Sequence, residues 1–257
     1  MKKKFIGIIP AAGKATRLGT IPCSKEILPI GFIEDNNEEI HSGVLTCIDH
    51  SLMAFAEANI NTIKVTINPE KEDIKKYVNK RKLHDNLKIS FKSIQNSPNI
   101  LISINSAISS KNDNIVLLFP DIIFDPKDML IKLKETFHNK NPDIVLALFP
   151  TDRGDKMDIV STDKNNRIKQ VIPKPGSGIS GYTWISAIWN QKFSGLLAKE
   201  IKQTETITSQ NQEIFIGHIV DIAIKKDLKV LGVPFNKGWC SDLGTPTDLK
   251  KYWRKYT

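Results

Sequence analysis

Apolar and polar positions along this chain follow two rhythms, one strand-like and one helical. Phe5 to Ile9 is a short continuous apolar run bounded by Pro and Gly, as expected for a strand buried on both faces. Thr46 to Ala58 carries Ile48, Leu52, Phe55 and Ala56 at helical spacing, then Thr62 to Ile67 is a β-branched strand. Behind Pro69, Glu70 to Lys80 runs from acidic to basic, the polarity that a helix dipole favours. Leu87 to Phe91 reads as a strand, Leu101 to Ile108 as a helix, and Ile115 to Phe119 as an apolar strand ending at Pro120-Asp121. Asp125-Pro126 opens a helix to about Phe137, and the strand Ile144 to Phe149 follows. Strands and helices alternating at this spacing predict a mostly parallel sheet with helices on both faces.

After Pro150 the rhythm changes. Met157 to Ser161 and Arg167 to Ile172, joined by Asp163-Lys164-Asn165-Asn166, predict a hairpin, and Tyr182 to Trp189 a further strand. Helical patterns follow at Lys192–Ile201 and Glu213–Lys226, then a strand at Lys229–Val233 and a polar-aromatic helix from about Pro246. With no repeat or linker visible, residues 1–257 are expected to form one α/β domain with an antiparallel elaboration in its second half.

Composition narrows the partners. The chain carries 37 Lys+Arg against 28 Asp+Glu, a net charge of +9, which invites a polyanionic ligand. The arginines are only Arg17, Arg81, Arg153, Arg167 and Arg254; the other basic residues are scattered lysines. Nucleic-acid readers favour arginine, and no zinc-finger, basic-zipper or RNA-binding aromatic motif is present, so no nucleic-acid partner is expected. Cys23, Cys47 and Cys240 are far apart and odd in number, which suits reduced thiols and a cytoplasmic location. Lys2-Lys3-Lys4 before an apolar run imitates a signal peptide, but the run is short, contains Pro10 and is better read as the first strand. No stretch approaches the roughly 18 apolar residues of a membrane span.

The chemistry concentrates directly after that strand, in Pro10-Ala11-Ala12-Gly13-Lys14-Ala15-Thr16-Arg17-Leu18 and then Ser24-Lys25-Glu26-Ile27-Leu28-Pro29. A loop of small residues lets backbone N–H groups approach a phosphate, and neighbouring cations neutralise it. It is not a P-loop: Ile8 stands where the first glycine is required, and Ala15 follows Lys14 in place of Ser or Thr. Nor is it the dinucleotide fingerprint, for which Gly13 alone is available. His41, His50, His84, His138 and His218 lack metal-ligand spacing and read as structural.

The segment resembles the signature of the sugar-1-phosphate nucleotidylyltransferases, near the glucose-1-phosphate thymidylyl- and uridylyltransferases. In that pattern a small-residue loop ends Gly-Thr-Arg-Leu and a Lys precedes Leu-Pro. Ala12, Gly13, Thr16, Arg17, Leu18, Lys25, Leu28 and Pro29 fall in place, while Ala15 replaces the usual glycine and the Arg17-to-Lys25 spacing is about two residues short. Asp121 matches the family's first metal-binding aspartate, with Pro120 before it in place of glycine. Asp242 in Asp242-Leu243-Gly244-Thr245-Pro246 matches the second. Lys174-Pro175 resembles the family's Glu-Lys-Pro, with Pro173 in place of the glutamate. Gln95 and Pro98 resemble its base-reading segment, with Ile100 at the glycine position. The resemblance runs in order through nearly the whole chain.

What the resemblance implies is a Rossmann-like three-layer α/β/α fold and transfer of a nucleotidyl group from a nucleoside triphosphate to a sugar-1-phosphate. Mg²⁺ on Asp121 and Asp242 is the implied cofactor. Arg17 and the loop from Ala11 to Thr16 would cradle the triphosphate, Lys25 would lie near the reacting phosphates, and Lys174 would fix the sugar phosphate. Gln95 would read the base, which favours UTP or dTTP. With Pro173 lacking a carboxylate, Asp158 is a candidate substitute for contacting the sugar, and Tyr182 and Trp184 could line its pocket or belong to the core. The rivals are a cytidylyltransferase acting on a phospho-alcohol such as phosphocholine or a polyol phosphate, and a regulatory subunit that binds nucleotide without catalysis. A homo-oligomer is possible through the aromatic C-terminal helix (Tyr252, Trp253, Tyr256).

Overall fold

The computed structural model describes residues 3–33, 43–81, 86–95, 99–110, 112–207 and 214–256. The elements of the first half are β1 (Phe5–Ala11), β2 (Pro29–Phe32), β3 (Val44–Thr46), α1 (Cys47–Glu57), β4 (Thr62–Ile67), α2 (Glu72–Lys80), β5 (Lys88–Ser93), α3 (Ile100–Ala107), β6 (Asn114–Leu118), β7 (Ile122–Asp125), α4 (Met129–Lys140) and β8 (Ile144–Thr151). The second half adds β9 (Ile159–Thr162), β10 (Ile168–Ile172), β11 (Gly181–Trp189), α5 (Gln191–Ile207), α6 (Ile216–Lys225), β12 (Val230–Pro234), β13 (Trp239–Asp242) and α7 (Pro246–Tyr256).

Nine strands form the central sheet in the order β10-β9-β11-β6-β1-β4-β5, with β8 paired to both β11 and β12. Strand β1 is parallel to β4 and β6, β4 is parallel to β5, and β8 is parallel to β12. β11 runs antiparallel to β6 and β8, and β9–β10 is the antiparallel hairpin expected from the pattern. The hairpin turn has a local cause. Asp163 Oδ1 accepts from the N–H of Asn165 at 2.9 Å and of Arg167 at 3.0 Å, and Asn166 takes φ 60° in the left-handed region that asparagine tolerates.

Alternation along the strands divides the core into two layers. Ile9 and Ala11 of β1 join Val116, Leu118, Val145 and Ala147 on the face covered by α1, α2 and α4. Ile6 and Ile8 join Ile115, Leu117, Leu146 and Leu148 on the face covered by α3, α5 and α6. A third, smaller core lies beyond the ends of the strands and gathers Leu18, Leu28, Ile30, Cys47, Ile123, Leu243, Leu249 and Tyr252. It is the frame of the site described below.

The pattern missed four short strands. The pair β2–β3 and the ribbon β7–β13 are stretches of three or four residues whose strand character comes from the partner. The helix expected from Pro126 starts at Met129 because β7 extends through Asp125, and the one expected from Glu70 opens with a 3₁₀ turn over Pro69–Lys71. In the second half α6 starts at Ile216, Glu213 lying outside the described residues. Among the described residues no helix is long and apolar enough to cross a membrane.

One half-buried histidine ties α1 to the β7–β13 ribbon. His50 Nε2 donates to the Phe124 carbonyl at 3.1 Å, its ring stands edge-on to Phe124, and its Nδ1 is buried without a partner. Burial pushes its pKa down from 6.5 to about 4, so the folded chain holds it neutral. The unfolded chain takes up the proton first as pH falls. The stability this residue contributes is therefore whole above pH 6.5 and is lost as pH drops toward 4, by about 3 kcal/mol. Denaturant titrations at pH 7, 6, 5 and 4 should show a steeper acid loss for the wild type than for His50→Gln. Parallel profiles would refute the assignment.

Candidate active site

Strand β1 ends at Ala11, which is fully buried, and the chain then opens into the loop Ala12–Ala15 at the carboxyl edge of the sheet. Ala15 has φ 54°, in the left-handed region, where a Cβ costs roughly 1–2 kcal/mol and glycine costs nothing. This conformation gives a physical reason for the glycine usual at that position. The 3₁₀ turn Thr16–Leu18 follows, with Leu18 sunk into the third core and Arg17 on the surface of the cleft.

The turn that carries Lys25 is clamped from both sides. The backbone N–H and Oγ of Ser24 each donate to Asp73 at 2.7 Å. Glu26 is fully buried and receives the Lys71 ammonium on both carboxylate oxygens, at 2.8 and 2.9 Å. A buried pair of this kind contributes less to stability than to placing its chain segment, but removing one partner strands the other charge. Lys25 itself reaches across to Asp121 and forms an ion pair with Oδ2.

Asp121 and Asp242 are brought together by the β7–β13 ribbon, although they are far apart in sequence. Asp121 precedes β7, Asp242 ends β13 opposite Ile122, and the Leu243 N–H donates to the Asp121 carbonyl at 2.9 Å. Asp242 Oδ1 accepts from the Gly244 N–H at 2.7 Å. A methyl group at Gly244 would stand 2.8 Å from Asp242 Oδ1 and 3.0 Å from an Arg17 guanidinium nitrogen, so the glycine makes room for the arginine. Burial, followed by the charge of Asp121, pushes the Asp242 carboxyl above its ordinary value. Burial works the same way on Asp121, but the Lys25 ammonium outweighs it and holds that carboxyl below the ordinary value. Burial likewise lowers Lys25, and Asp121, Glu26 and Asp242 together more than reverse it.

Farther along the cleft, Lys174 follows Pro173 with φ 43°, and its Nζ lies 3.7 Å from the centroid of the Phe215 ring. That is a close cation–π contact, which fixes a side chain whose backbone is already in a strained region. Lys156, which sequence reasoning did not single out, lines the same cleft; Asp248 of α7 holds it at 3.1 Å and Arg153 at 2.7 Å. Nothing in its local sequence marks it, because it lies in the turn between β8 and β9 and the residue that positions it is in the distant helix α7. Asn68, Asn99 and Ser103 also line the cleft and were likewise not anticipated.

One cleft of about 720 Å³ thus contains Ala12, Gly13, Lys14, Thr16, Arg17, Lys25, Asp121, Lys174 and Asp242. Ala11 lies beneath it in the sheet, and Ala15 packs against the third core. Gln95 does not line the cleft; it is exposed just past the end of edge strand β5, and Pro98 lies outside the described residues. Trp184 lines the cleft and is also largely buried in the core, whereas Tyr182 is not on the lining and hydrogen-bonds Asn236. Among the described residues no three His, Cys, Asp or Glu side chains gather as metal ligands. The two aspartates would bind a cation as a pair.

A mixed sheet covered on both faces thus carries, at its carboxyl edge, a loop of small residues with two carboxylates beside it, the edge at which open α/β sheets bind their ligands. The family model described as Nucleotidyl transferase matches residues 6–257, and the chain belongs to that family. Among solved structures it is similar to one described as a glucose-1-phosphate thymidylyltransferase from Bacillus anthracis in complex with a sucrose. The TM-score is 0.78 at 19% identity, over 96% of this chain and 93% of that one. This likeness shows the fold. No curated protein matches the chain in sequence.

Two substitutions test how the site is held. Gly244→Ala should displace Arg17 and weaken nucleoside triphosphate binding about tenfold, roughly 1.4 kcal/mol, in calorimetry, with little change in melting temperature. Unchanged affinity would remove Arg17 from the triphosphate site. Lys71→Met should destabilise the chain by about 3–5 kcal/mol in denaturant titration, because Glu26 is left charged and buried. A loss under 1 kcal/mol would show that Glu26 has another means of compensation.

Proposed function

We propose that this protein joins a nucleoside triphosphate to a sugar-1-phosphate, releasing pyrophosphate and a nucleotide-sugar. The preference for UTP or dTTP rests on Gln95, which lies off the cleft lining, so the donor base is left to the matrix of triphosphates below. The observation that carries the reading is the convergence of Arg17, Lys25, Asp121 and Asp242 on one cleft beside the loop after β1. A phosphate oxygen of the acceptor attacks the α-phosphorus of the triphosphate. The bond from that phosphorus to the oxygen bridging to the β-phosphate breaks, and pyrophosphate carries away the electron pair. No side chain serves as nucleophile, so catalysis rests on positioning and on neutralising charge.

Arg17 and the N–H groups from Ala12 to Thr16 bind the departing β- and γ-phosphates. Lys25, already ionised against Asp121, supplies positive charge where the reacting phosphates meet. Lys174 and Lys156 face the acceptor phosphate. Asp121 and Asp242 fit a hard divalent cation: the donors are all oxygen, and the burial and the neighbouring Asp121 charge that raise Asp242 are what such a cation offsets. Mg²⁺ held by Asp121 and Asp242 would neutralise charge on the reacting phosphates. We place the reaction in the cytoplasm, in keeping with free thiols at Cys23, Cys47 and Cys240.

Pyrophosphate release measured over the five common nucleoside triphosphates, a panel of sugar and alcohol phosphates and Mg²⁺ should single out one pair. Asp121→Asn should lower kcat on that pair on the order of 10³-fold, while melting stays within a few degrees of wild type. Near-full turnover by that variant, or silence of the wild type across the whole matrix, would sink the proposal.

A further inference from the structure

Asp121 and Glu26 of the cleft are ion-paired to Lys25 and Lys71, whereas Asp158, just before β9, makes no such ion pair among the described residues. Trp184 Nε1 donates to its Oδ2 at 2.9 Å, and among the described residues no group donates to Oδ1. The carboxylate rests on the first turn of α6 at a point with no side chain. A methyl group at Gly217 would stand 2.2 Å from Asp158 Oδ2 and 3.3 Å from Pro173 Cγ. Pro173, against the same glycine, offers no polar side-chain atom. The surrounding lining is Met157, Thr183, Trp184 and Phe215, with Lys174 over the Phe215 ring.

An ionised carboxylate only accepts hydrogen bonds, so whatever meets Oδ1 must bring a donor, either hydroxyls or an ammonium group. Two observations decide between them. Burial raises the Asp158 carboxyl and the Lys174 ammonium acts against that rise, so another cation there would meet the repulsion of Lys174. The aromatic face that would receive a quaternary ammonium, that of Phe215, is already covered by Lys174 at 3.7 Å.

We propose that Asp158 selects the acceptor, its free Oδ1 accepting hydroxyls of a polyhydroxylated phosphate ester whose carbon skeleton lies against Trp184. The assignment rests on the nucleotidyl-transfer reading of the cleft. Trp184 fixes the carboxylate through Oδ2, Gly217 gives it space, and Lys174 binds the phosphate at the other end of the same small molecule. A site built around a hydroxyl contact discriminates sharply against analogues that lack it.

The test compares wild type with Asp158→Asn, which keeps an oxygen for Trp184 and replaces the free acceptor with a donor. Binding of sugar-1-phosphates, polyol phosphates and phosphocholine is measured by calorimetry in the presence of a non-hydrolysable triphosphate analogue, and pyrophosphate release is followed in parallel. The expected result is that a polyhydroxylated phosphate binds wild type best, and that its Kd and KM rise about tenfold or more in the variant while triphosphate Kd stays within about twofold. An unchanged acceptor Kd, binding of no member of the panel, or a preference for phosphocholine overturns the assignment. Should the Asn variant not fold, Trp184→Phe removes the orienting donor and is expected to raise acceptor Kd severalfold; no change overturns it equally. The two proposals fail differently: acceptor binding that depends on Asp158 without any pyrophosphate release leaves this assignment standing and defeats the transfer reading.

Discussion

Two carboxylates of like charge held side by side, partly out of water, are the constraint around which this molecule is arranged. Asp121 and Asp242 cannot both ionise there without nearby cations, and the chain provides them from segments distant in sequence. Lys25 pairs with Asp121 directly, and Arg17 acts on both. Each of these cations is itself fixed by contacts that do not enter the chemistry: Glu26 with Lys71 and Ser24 with Asp73 for Lys25, and the open space at Gly244 for Arg17. The result is a cleft whose charges are ordered before a ligand arrives, which is what a reaction dependent on positioning requires.

The apolar framework divides its work accordingly. The two large core layers bury the sheet and present the end of β1 at the carboxyl edge, where the loop emerges. The third core does something different. It gathers Leu18, Leu28, Ile123 and Leu243, one residue from each of the segments bearing Arg17, Lys25, Asp121 and Asp242. Hydrophobic contact there has no directionality of its own, but with every segment anchored one or a few residues from its charged group, it sets the distances among them.

The central strands were legible in the sequence because burial on both faces leaves a continuous apolar run, as at Phe5, Ile115 and Ile144. The β7–β13 ribbon and the β2–β3 pair were not legible. Their residues carry no period long enough to see, and their form comes from a partner element. The site divides in the same way. Arg17, Lys25, Asp121, Lys174 and Asp242 sit in motifs and all reach the cleft, whereas Lys156 arrives there through an ion pair to a helix about ninety residues later, and Asn68 and Asn99 through strand and helix ends. Gln95, also a motif residue, is placed on an exposed edge off the cleft lining. The departure at Ala15 has a conformational meaning, since its left-handed backbone is the one that glycine serves best.

The last helix closes this arrangement. Tyr252 donates to the Ile30 carbonyl at 3.3 Å and Trp253 to the Pro29 carbonyl at 2.9 Å, so α7 is fastened to the strand that follows Lys25. Asp248 in its first turn holds Lys156. In chain order the loop after β1, Lys25 and Asp121 come first, and Asp242 follows only with β13. Until β13 pairs with β7, the carboxylate pair does not exist. A molecule in which β13 has not yet paired therefore has one carboxylate at this place and not two.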